Sequence, residues 1–264
     1  MNEIKIVDLD KPIPKEFPGV EYEIKFNIKL FGEGKEPSIK EYLDALDISL
    51  DKSRYCICPN KSISSGTNYY IGDALNECFV VMENNGKLFL KEKGEQTPVQ
   101  VGIKAENLVT KRKEKVYETS LEEVMKKTMN RVQENSNSAE LKYLGRIRKE
   151  KGDIYAVDNS DGRIYCITIS KCFLDKNNKD VQRQLEIEYV GYSPGIKKFK
   201  KNSEKNIIQG LTYFANFLYE KYNNKKISEN YTIRLEATKE RKYDFVVQNI
   251  SNGGEKYVPN ESGI

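Results

Sequence analysis

Residues 19–29 constrain the fold of this chain more than any other stretch, because polar and apolar residues alternate there with a period of two. Successive side chains of a β-strand point to opposite faces of the sheet. The pattern therefore predicts a strand with one apolar face and one charged face. The charged face holds Glu21, Glu23 and Lys25, and the apolar face holds Tyr22, Ile24, Phe26 and Ile28.

The charged face has the residue types of a site for a divalent metal and phosphate. Carboxylate oxygens bind hard cations such as Mg²⁺, and a neighbouring lysine neutralises phosphate oxygens that the metal does not reach. A second segment far downstream, Leu185-Glu186-Ile187-Glu188-Tyr189, again places two carboxylates on one face of a strand. The alternative for each segment alone is an ordinary strand whose charged face contacts solvent.

Together the two segments resemble the CYTH superfamily, the triphosphate tunnel metalloenzymes, whose first strand carries Glu-x-Glu-x-Lys and whose late strand carries Glu-x-Glu. The resemblance spans roughly residues 19–220. It implies an α+β fold, a closed antiparallel β-barrel (tunnel fold) of about eight to ten strands with flanking helices. It further implies a charged tunnel in which the two acidic doublets meet, Mg²⁺ or Mn²⁺ as the cofactor, and a triphosphate or nucleotide as the ligand.

The resemblance also implies roles for interior residues. An Asn-Gly turn at residues 85–86 predicts a hairpin, and Lys91 on its second strand matches the tunnel lysine of the family. Arg112 and Glu114 are similar to an Arg-x-Glu pair of the family. The implied metal ligands are Glu21, Glu23, Glu114, Glu186 and Glu188; the implied substrate-binding residues are Lys25, Lys91, Arg112, Arg146 and Arg148, of which Lys25, Lys91, Arg146 and Arg148 are also the implied catalytic residues.

The chain departs from the family pattern at two places. The first strand of the hairpin reads Phe-Val-Val-Met at residues 79–82, where the family has two arginines that grip phosphate. A bidentate arginine is among the stronger phosphate contacts, and we therefore predict Arg146 and Arg148 as its replacements. The strand at residues 163–173 offers Thr168 and Ser170 where active relatives place a further acidic metal ligand.

Composition excludes several classes of site. The chain has no histidine, which excludes Ser-His and Cys-His nucleophiles and any histidine general base. Its five irregularly spaced cysteines are typical of a reducing compartment rather than of a disulfide framework. The excess of 44 basic over 40 acidic residues is small, so we expect no stable nucleic-acid partner from net charge.

No membrane partner is predicted either. No apolar run approaches the roughly 20 residues needed to span a bilayer. The first residues lack the apolar stretch of a signal peptide. We therefore expect a cytoplasmic protein.

The sequence shows neither an internal repeat nor a domain linker, which predicts a single tunnel-barrel domain over residues 1–264. Residues 31–68 are interpreted as an insertion and residues 252–264 as a mobile tail. Helical periodicity predicts helices near residues 38–46, 120–132 and 203–222. The segments 232–237 and 241–248 are interpreted as a final β-hairpin.

Three functions are compatible with these features. The first hypothesis is a divalent-metal-dependent phosphohydrolase, a triphosphatase, that acts on a triphosphate or nucleoside triphosphate inside the tunnel. The second is a sensor on the same fold that binds a nucleotide or phosphate without turnover. The third is an ATP cyclase, as in the adenylyl cyclase branch of the family.

Overall fold

A computed structural model of the chain describes residues 13–49, 52–57, 62–72, 77–99, 109–134, 142–174, 181–193 and 203–251. The mobile tail that we predict at residues 252–264 lies outside these ranges. None of the helices that the structure describes is long and apolar enough to cross a membrane.

The described residues form twelve strands and four helices. The strands are β1 (Val20–Gly32), β2 (Tyr55–Ile57), β3 (Ser62–Gly72), β4 (Glu77–Asn84), β5 (Lys87–Lys93), β6 (Thr97–Val99), β7 (Val109–Thr119), β8 (Lys142–Asp158), β9 (Arg163–Leu174), β10 (Val181–Tyr192), β11 (Lys226–Ser228) and β12 (Tyr231–Thr238). The helices are α1 (Ile39–Ser49), α2 (Leu121–Glu134), α3 (Glu204–Tyr222) and α4 (Lys242–Ser251).

Eight of the strands close into an antiparallel barrel in the order β1-β10-β9-β8-β3-β4-β5-β7. The barrel closes where the start of β1 pairs with β7, from Val20 opposite Lys113 to Glu23 opposite Thr110. The four remaining strands add to this wall: β12 and β11 extend from β1, while β2 pairs with β8 and β6 with β7. The predicted α+β fold with a closed antiparallel barrel is confirmed.

The main hydrophobic core lies between the outside of the barrel and helices α1 and α3. The even-numbered residues of β1 enter this core, and Tyr165 of β9 stacks on Phe214 of α3 at 4.6 Å between ring centroids. Each large apolar side chain buried there stabilises the fold by about 1.5–3 kcal/mol. Because strands alternate, this outer core forces the charged face of β1 into the lumen.

Local signals in the sequence locate the helix starts correctly. Ser203 caps α3, and its side chain accepts a hydrogen bond from the Asn206 amide. At α1, the Glu41 amide donates to Ser38 Oγ at 3.3 Å while the Ser38 amide donates to Glu41 at 2.7 Å. These contacts satisfy amides that have no partner within the helix. The predicted apolar stripe of α3 is buried at Ile207, Ile208, Leu211, Phe214, Ala215, Leu218 and Tyr222.

The hairpin between β4 and β5 also forms as predicted. Asn85 and Gly86 both have positive φ, at 51° and 74°. These are the values of a type I′ turn, whose twist matches that of the flanking strands. The outer face of the hairpin packs Leu90 against Val124 of α2. The inner face, with Lys91, turns toward the lumen.

Two sequence interpretations are wrong. The proposed insertion at residues 31–68 includes α1 and β2, but Ser62 begins β3, which is a strand of the barrel itself. The proposed final hairpin is also incorrect, because residues 242–251 form helix α4. Asp244 accepts a hydrogen bond from the Arg241 amide at 2.8 Å and so caps the helix, a local signal that outweighs the short alternation of this segment.

Helix α4 packs into one end of the barrel. Tyr243 and Val246 contact a second hydrophobic cluster formed by Tyr70, Val80 and Ile147 on the inner face of the wall. Apolar packing therefore fixes the start of α4 beside the lumen. Arg241, Lys242 and Tyr243 all border the same cavity as the charged face of β1.

Candidate functional site

The two acidic doublets lie side by side on neighbouring strands of the barrel. In the pairing of β1 with β10, Glu23 is opposite Glu188 and Lys25 is opposite Glu186. All of these side chains are on the faces that alternate with the outer core, so they face the lumen. The doublets thus share one wall of the lumen instead of meeting from opposite walls.

One cavity of about 80 Å³ lies beside this wall. Three carboxylates and seven cationic side chains border it, an excess of four positive charges. The remaining lining is uncharged. The cations are Lys25, Lys91, Lys93, Arg112, Lys149, Arg241 and Lys242; the acids are Glu21, Glu23 and Glu186; and the uncharged residues are Asn68, Tyr70, Val80, Met82 and Tyr243.

Arg112 holds both carboxylates of the first doublet. Closure of the barrel places Arg112 opposite Glu21, and its Nε donates to that carboxylate. Its Nη2 lies 3.0 Å from Glu23 Oε1, and Lys25 Nζ lies 2.8 Å from the same oxygen. Burial alone would raise the pKa of Glu21, but Lys93, Arg112 and Lys91 together outweigh it and lower that pKa. Glu21 is therefore held as an anion.

In the second doublet, Glu186 is paired with a cation from helix α4. Lys242 Nζ donates to Glu186 and lies 3.3 Å from Gln184 Oε1. Burial opposes ionisation of Glu186, yet Lys242 and then Lys149 outweigh it and lower its pKa well below the ordinary value. For Lys242 the balance is reciprocal: burial would lower its pKa, and the Glu186 carboxylate raises it.

Glu188 has a different environment from the other three doublet residues. Its nearest cation is Lys15, with Nζ 3.7 Å from the carboxylate, and 32% of its side chain is exposed. Desolvation, and then repulsion from Glu21, raise the pKa of Glu188. This carboxyl group consequently favours the protonated form at neutral pH.

Lys91 of β5 and Glu114 of β7 form a further ion pair. Lys91 Nζ lies 2.8 Å from Glu114, and Lys93 Nζ lies 3.9 Å from it. Burial would lower the pKa of Lys91, but Glu21 and Glu114 outweigh it and raise that pKa. Glu114 thus lies beside the cations of β5, whereas Lys91 and Lys93 border the cavity itself.

Arg146 and Arg148 lie outside the cavity, contrary to the placement expected from the sequence. Both side chains are exposed. Arg148 lies over the Phe173 ring at 4.6 Å and is 3.8 Å from Glu150. Arg146 interacts with Tyr69. Because Ile147 is fully buried in the inner cluster, residues 146 and 148 must point to the opposite face of β8.

Lys149 is the lumen residue that sequence reasoning missed on β8. It borders the cavity, and none of the residues that the structure describes pairs with its ammonium or accepts a hydrogen bond from it. Burial, and then the like charge of Lys242, lower the pKa of Lys149 to about 8. The outer-core residues Ile154 and Ala156 are the signal that could have identified it, since their alternation assigns odd-numbered positions to the lumen.

The two departures from the family pattern are visible in the lumen wall. Val80 and Met82 border the cavity where an arginine pair is expected, so this part of the wall is apolar. On β9, Thr168 lies opposite Glu186, and its hydroxyl donates to Asp153 at 2.7 Å. Basic groups from α4 and β8 border the same cavity, and β9 supplies no carboxylate at the level of Thr168.

The side chains as arranged do not fit a divalent metal. In the described ranges, no group of three or more His, Cys, Asp or Glu side chains is positioned to hold one. Glu21 accepts from Arg112, Glu23 forms ion pairs with Arg112 and Lys25, Glu186 accepts from Lys242, and the raised pKa of Glu188 opposes ligation. Mg²⁺ or Mn²⁺ therefore stays a prediction from the resemblance.

Comparison with known proteins gives a limited result. No family model and no curated protein matches the chain. Among solved structures, it is similar to the S. pombe Pct1 RNA triphosphatase, with a TM-score of 0.35, 10% identity, and coverage of 80% of this chain and 85% of that one. Pct1 in complex with the Spt5 CTD gives 0.34, 9%, 80% and 86%. Function must therefore be argued from the residues of the lumen.

Proposed function

We propose that the lumen binds the phosphate chain of an inorganic triphosphate or nucleoside triphosphate, and that the protein hydrolyses it. The observation that carries this proposal is the cavity with seven cations against three carboxylates. Among the described residues, no carboxylate lies within ion-pair distance of Lys149. A polyphosphate is a compact, multiply charged anion of matching chemistry. Charge-assisted hydrogen bonds to it are strongest in a confined, poorly hydrated site.

Within this proposal the cations differ in their roles. Lys149 is the first contact for a phosphate oxygen, because it has no carboxylate to give up. Lys25 and Lys91 supply further point charges along the β1 and β5 walls, while Arg112 holds Glu21 and Glu23 in place. Together these groups would neutralise the charge that develops on the departing phosphate.

Hydrolysis needs a group that accepts a proton from the attacking water. We assign this role to the ionised form of Glu188; because burial and Glu21 raise the pKa of Glu188 to about 8, hydrolysis should become faster as pH rises through that value. Water oxygen would bond to the terminal phosphorus as the P–O bond to the rest of the chain breaks. The water proton would pass to Glu188, and the electron pair of the broken bond to the leaving phosphate.

The test measures phosphate release from tripolyphosphate, ATP and GTP by the full-length protein, separately with EDTA, Mg²⁺ and Mn²⁺. We expect release from at least one substrate and, in Lys149→Met, an affinity about ten- to a hundredfold weaker, as for one lost charge-assisted contact. Arg148→Ala is the matched control, because it removes a cation of the same strand that faces outward. Absence of both binding and release under all three conditions would contradict the proposal.

Binding without turnover is the second candidate. It is favoured by the pairing of Glu21, Glu23 and Glu186 with protein cations, which assembles an anion site but leaves few carboxylates without a cationic partner for chemistry. A thermal-shift series with the same ligands separates the two functions. Stabilisation by a polyphosphate without phosphate release would support a sensor.

A further inference from the structure

Helix α4 brings a lysine to the acidic wall of the lumen. Lys242 is the first residue of the helix, and its ammonium donates to Glu186. The two side chains are only 14% and 16% exposed. Tyr243 and Val246, at 2% and 0% exposure, anchor the helix in the inner hydrophobic cluster. The ammonium is consequently held at the cavity by packing and not by a flexible surface segment.

This ammonium occupies the place that a bound metal ion would need. A divalent ion that joins the second doublet to a phosphate chain must contact Glu186, whose oxygen already accepts from Lys242. Arg112 occupies the carboxylates of the first doublet in the same way. A metal would therefore have to displace two buried cations, and the separation of these buried charges from their partners is costly.

The like charges around Lys242 have a further consequence. Lys149 borders the same cavity, and the two lysines repel each other. Repulsion between neighbouring buried cations is relieved when an anion binds between them. Arg241 adds a third cation at the start of the helix, fixed by its Nη2 at 2.6 Å from Asp244. The end of the lumen that α4 closes is therefore preassembled for phosphate.

We propose, on the basis of the function proposed above, that Lys242 serves as a built-in cation that replaces a divalent metal, so that the lumen binds a polyphosphate without one. The ammonium would contact the phosphate chain while it keeps its pairing with Glu186. The predicted substrate is thus the free polyphosphate anion and not its magnesium complex. Lys242 is in this view a binding residue contributed from outside the barrel wall.

The first experiment needs no variant. Isothermal titration of tripolyphosphate into the full-length protein is carried out in EDTA and again in Mg²⁺ and in Mn²⁺. We expect binding in EDTA that neither metal strengthens. Binding that requires a metal would overturn this inference while leaving the proposed function intact. Absence of binding in every buffer would overturn both.

The second experiment uses Lys242→Met, which keeps an unbranched apolar side chain for packing and removes the charge. We expect binding in EDTA to weaken about tenfold or more, and added Mg²⁺ or Mn²⁺ to restore part of it, because Glu186 is then free to ligate a metal. Lys242→Arg should keep metal-free binding. Unchanged affinity of Lys242→Met in EDTA would overturn the role of Lys242.

Lys239→Met is the matched control. Lys239 is exposed and precedes α4 by three positions, so its loss changes the net charge equally without altering the cavity. Circular dichroism and thermal unfolding of each variant identify any loss of fold. Should Lys242→Met fail to fold, Lys242→Arg and the titrations of the unmodified protein still decide the question.

Discussion

The two acidic doublets have the same Glu-x-Glu pattern and lie on adjacent strands, yet their environments differ. Both carboxylates of the first doublet are ion-paired with Arg112, which belongs to the barrel wall. The second doublet is divided: Glu186 pairs with a lysine from α4, while desolvation and Glu21 raise the pKa of Glu188. A repeated motif therefore does not imply a repeated charge state, because the neighbouring elements determine it.

The largest expected effect on stability is at Arg112, the shared partner of the first doublet. In Arg112→Met, Glu21 and Glu23 lose their shared partner while both stay buried. Removal of one partner of a buried ion pair typically costs about 3–5 kcal/mol of stability, and urea denaturation measures this loss. Addition of Glu21→Gln and Glu23→Gln to this variant should recover much of the loss. A loss below about 1 kcal/mol would show that solvent already screens the first doublet.

The second doublet should respond unequally to two identical substitutions. Glu186→Gln leaves the ammonium of Lys242 without its carboxylate, and we expect a loss of about 2–4 kcal/mol in the free energy of unfolding at neutral pH. Glu188→Gln removes a carboxyl group that must take up a proton on folding at neutral pH, so this variant should be at least as stable as the unmodified protein. Urea denaturation of both variants provides the measurement. Equal losses would remove the distinction drawn between the two residues.

Glu188 and Glu21, one from each doublet, should also make opposite contributions to the pH dependence of the free energy of unfolding. The pKa of Glu188 is raised, so the folded protein keeps a proton that the unfolded chain releases above the ordinary value of 4.5. Its contribution is therefore fully present below that value and is lost as pH rises through the folded pKa. The lowered pKa of Glu21 has the opposite effect. Its contribution to stability is fully present above the ordinary pKa of 4.5 and is lost as pH falls below that value.

Urea denaturation over a pH series separates these two contributions. Relative to the unmodified protein, Glu188→Gln should lose the part of the stability that decreases with rising pH. Glu21→Gln should lose the part that decreases on acidification. Parallel stability profiles for the unmodified protein and Glu188→Gln would contradict a raised pKa.

The smallest effect is expected at the two arginines of the outer face of β8. Arg146→Ala and Arg148→Ala should change stability by less than about 0.5 kcal/mol, because exposed substitutions away from a network are nearly neutral. Titration with tripolyphosphate should give unchanged affinity. A large loss of affinity would mean that the phosphate site lies outside the lumen. The different environments of the two doublets would then have no bearing on phosphate binding.

Regular periodicity was sufficient to predict much of this fold. Three sequence patterns each predict a single local structure, because local preference and tertiary packing agree there. They are the alternation of β1, the Asn-Gly turn after β4 and the apolar stripe of α3. Residues 241–248 are different. Their apolar positions fit a strand and a helix about equally well, and the cap at Asp244 and the contacts of α4 with the barrel decide the outcome.

The site was predictable where a motif and its alternation coincide. Glu21, Glu23, Lys25 and Glu186 border or face the lumen for that reason. On β8 the prediction of Arg146 and Arg148 as lumen residues is wrong, because the packing of Ile154 in the outer core assigns even-numbered residues to the outer face. Lys242 could not be predicted as a cavity residue. It reaches the cavity only because α4 packs into the end of the barrel, and residue spacing in the sequence does not indicate where that helix packs.

Strand β1 has a consequence for how the chain folds. It pairs with β7, β10 and β12, partners that follow it by about 90, 160 and 200 residues along the chain. Of the strands that the structure describes, the first to be synthesised is therefore among the last to be fully paired. Such non-local pairing slows folding and leaves open sheet edges during translation, so the rate-limiting step should be ring closure at the seam between β1 and β10, the more distant of the two ring partners of β1.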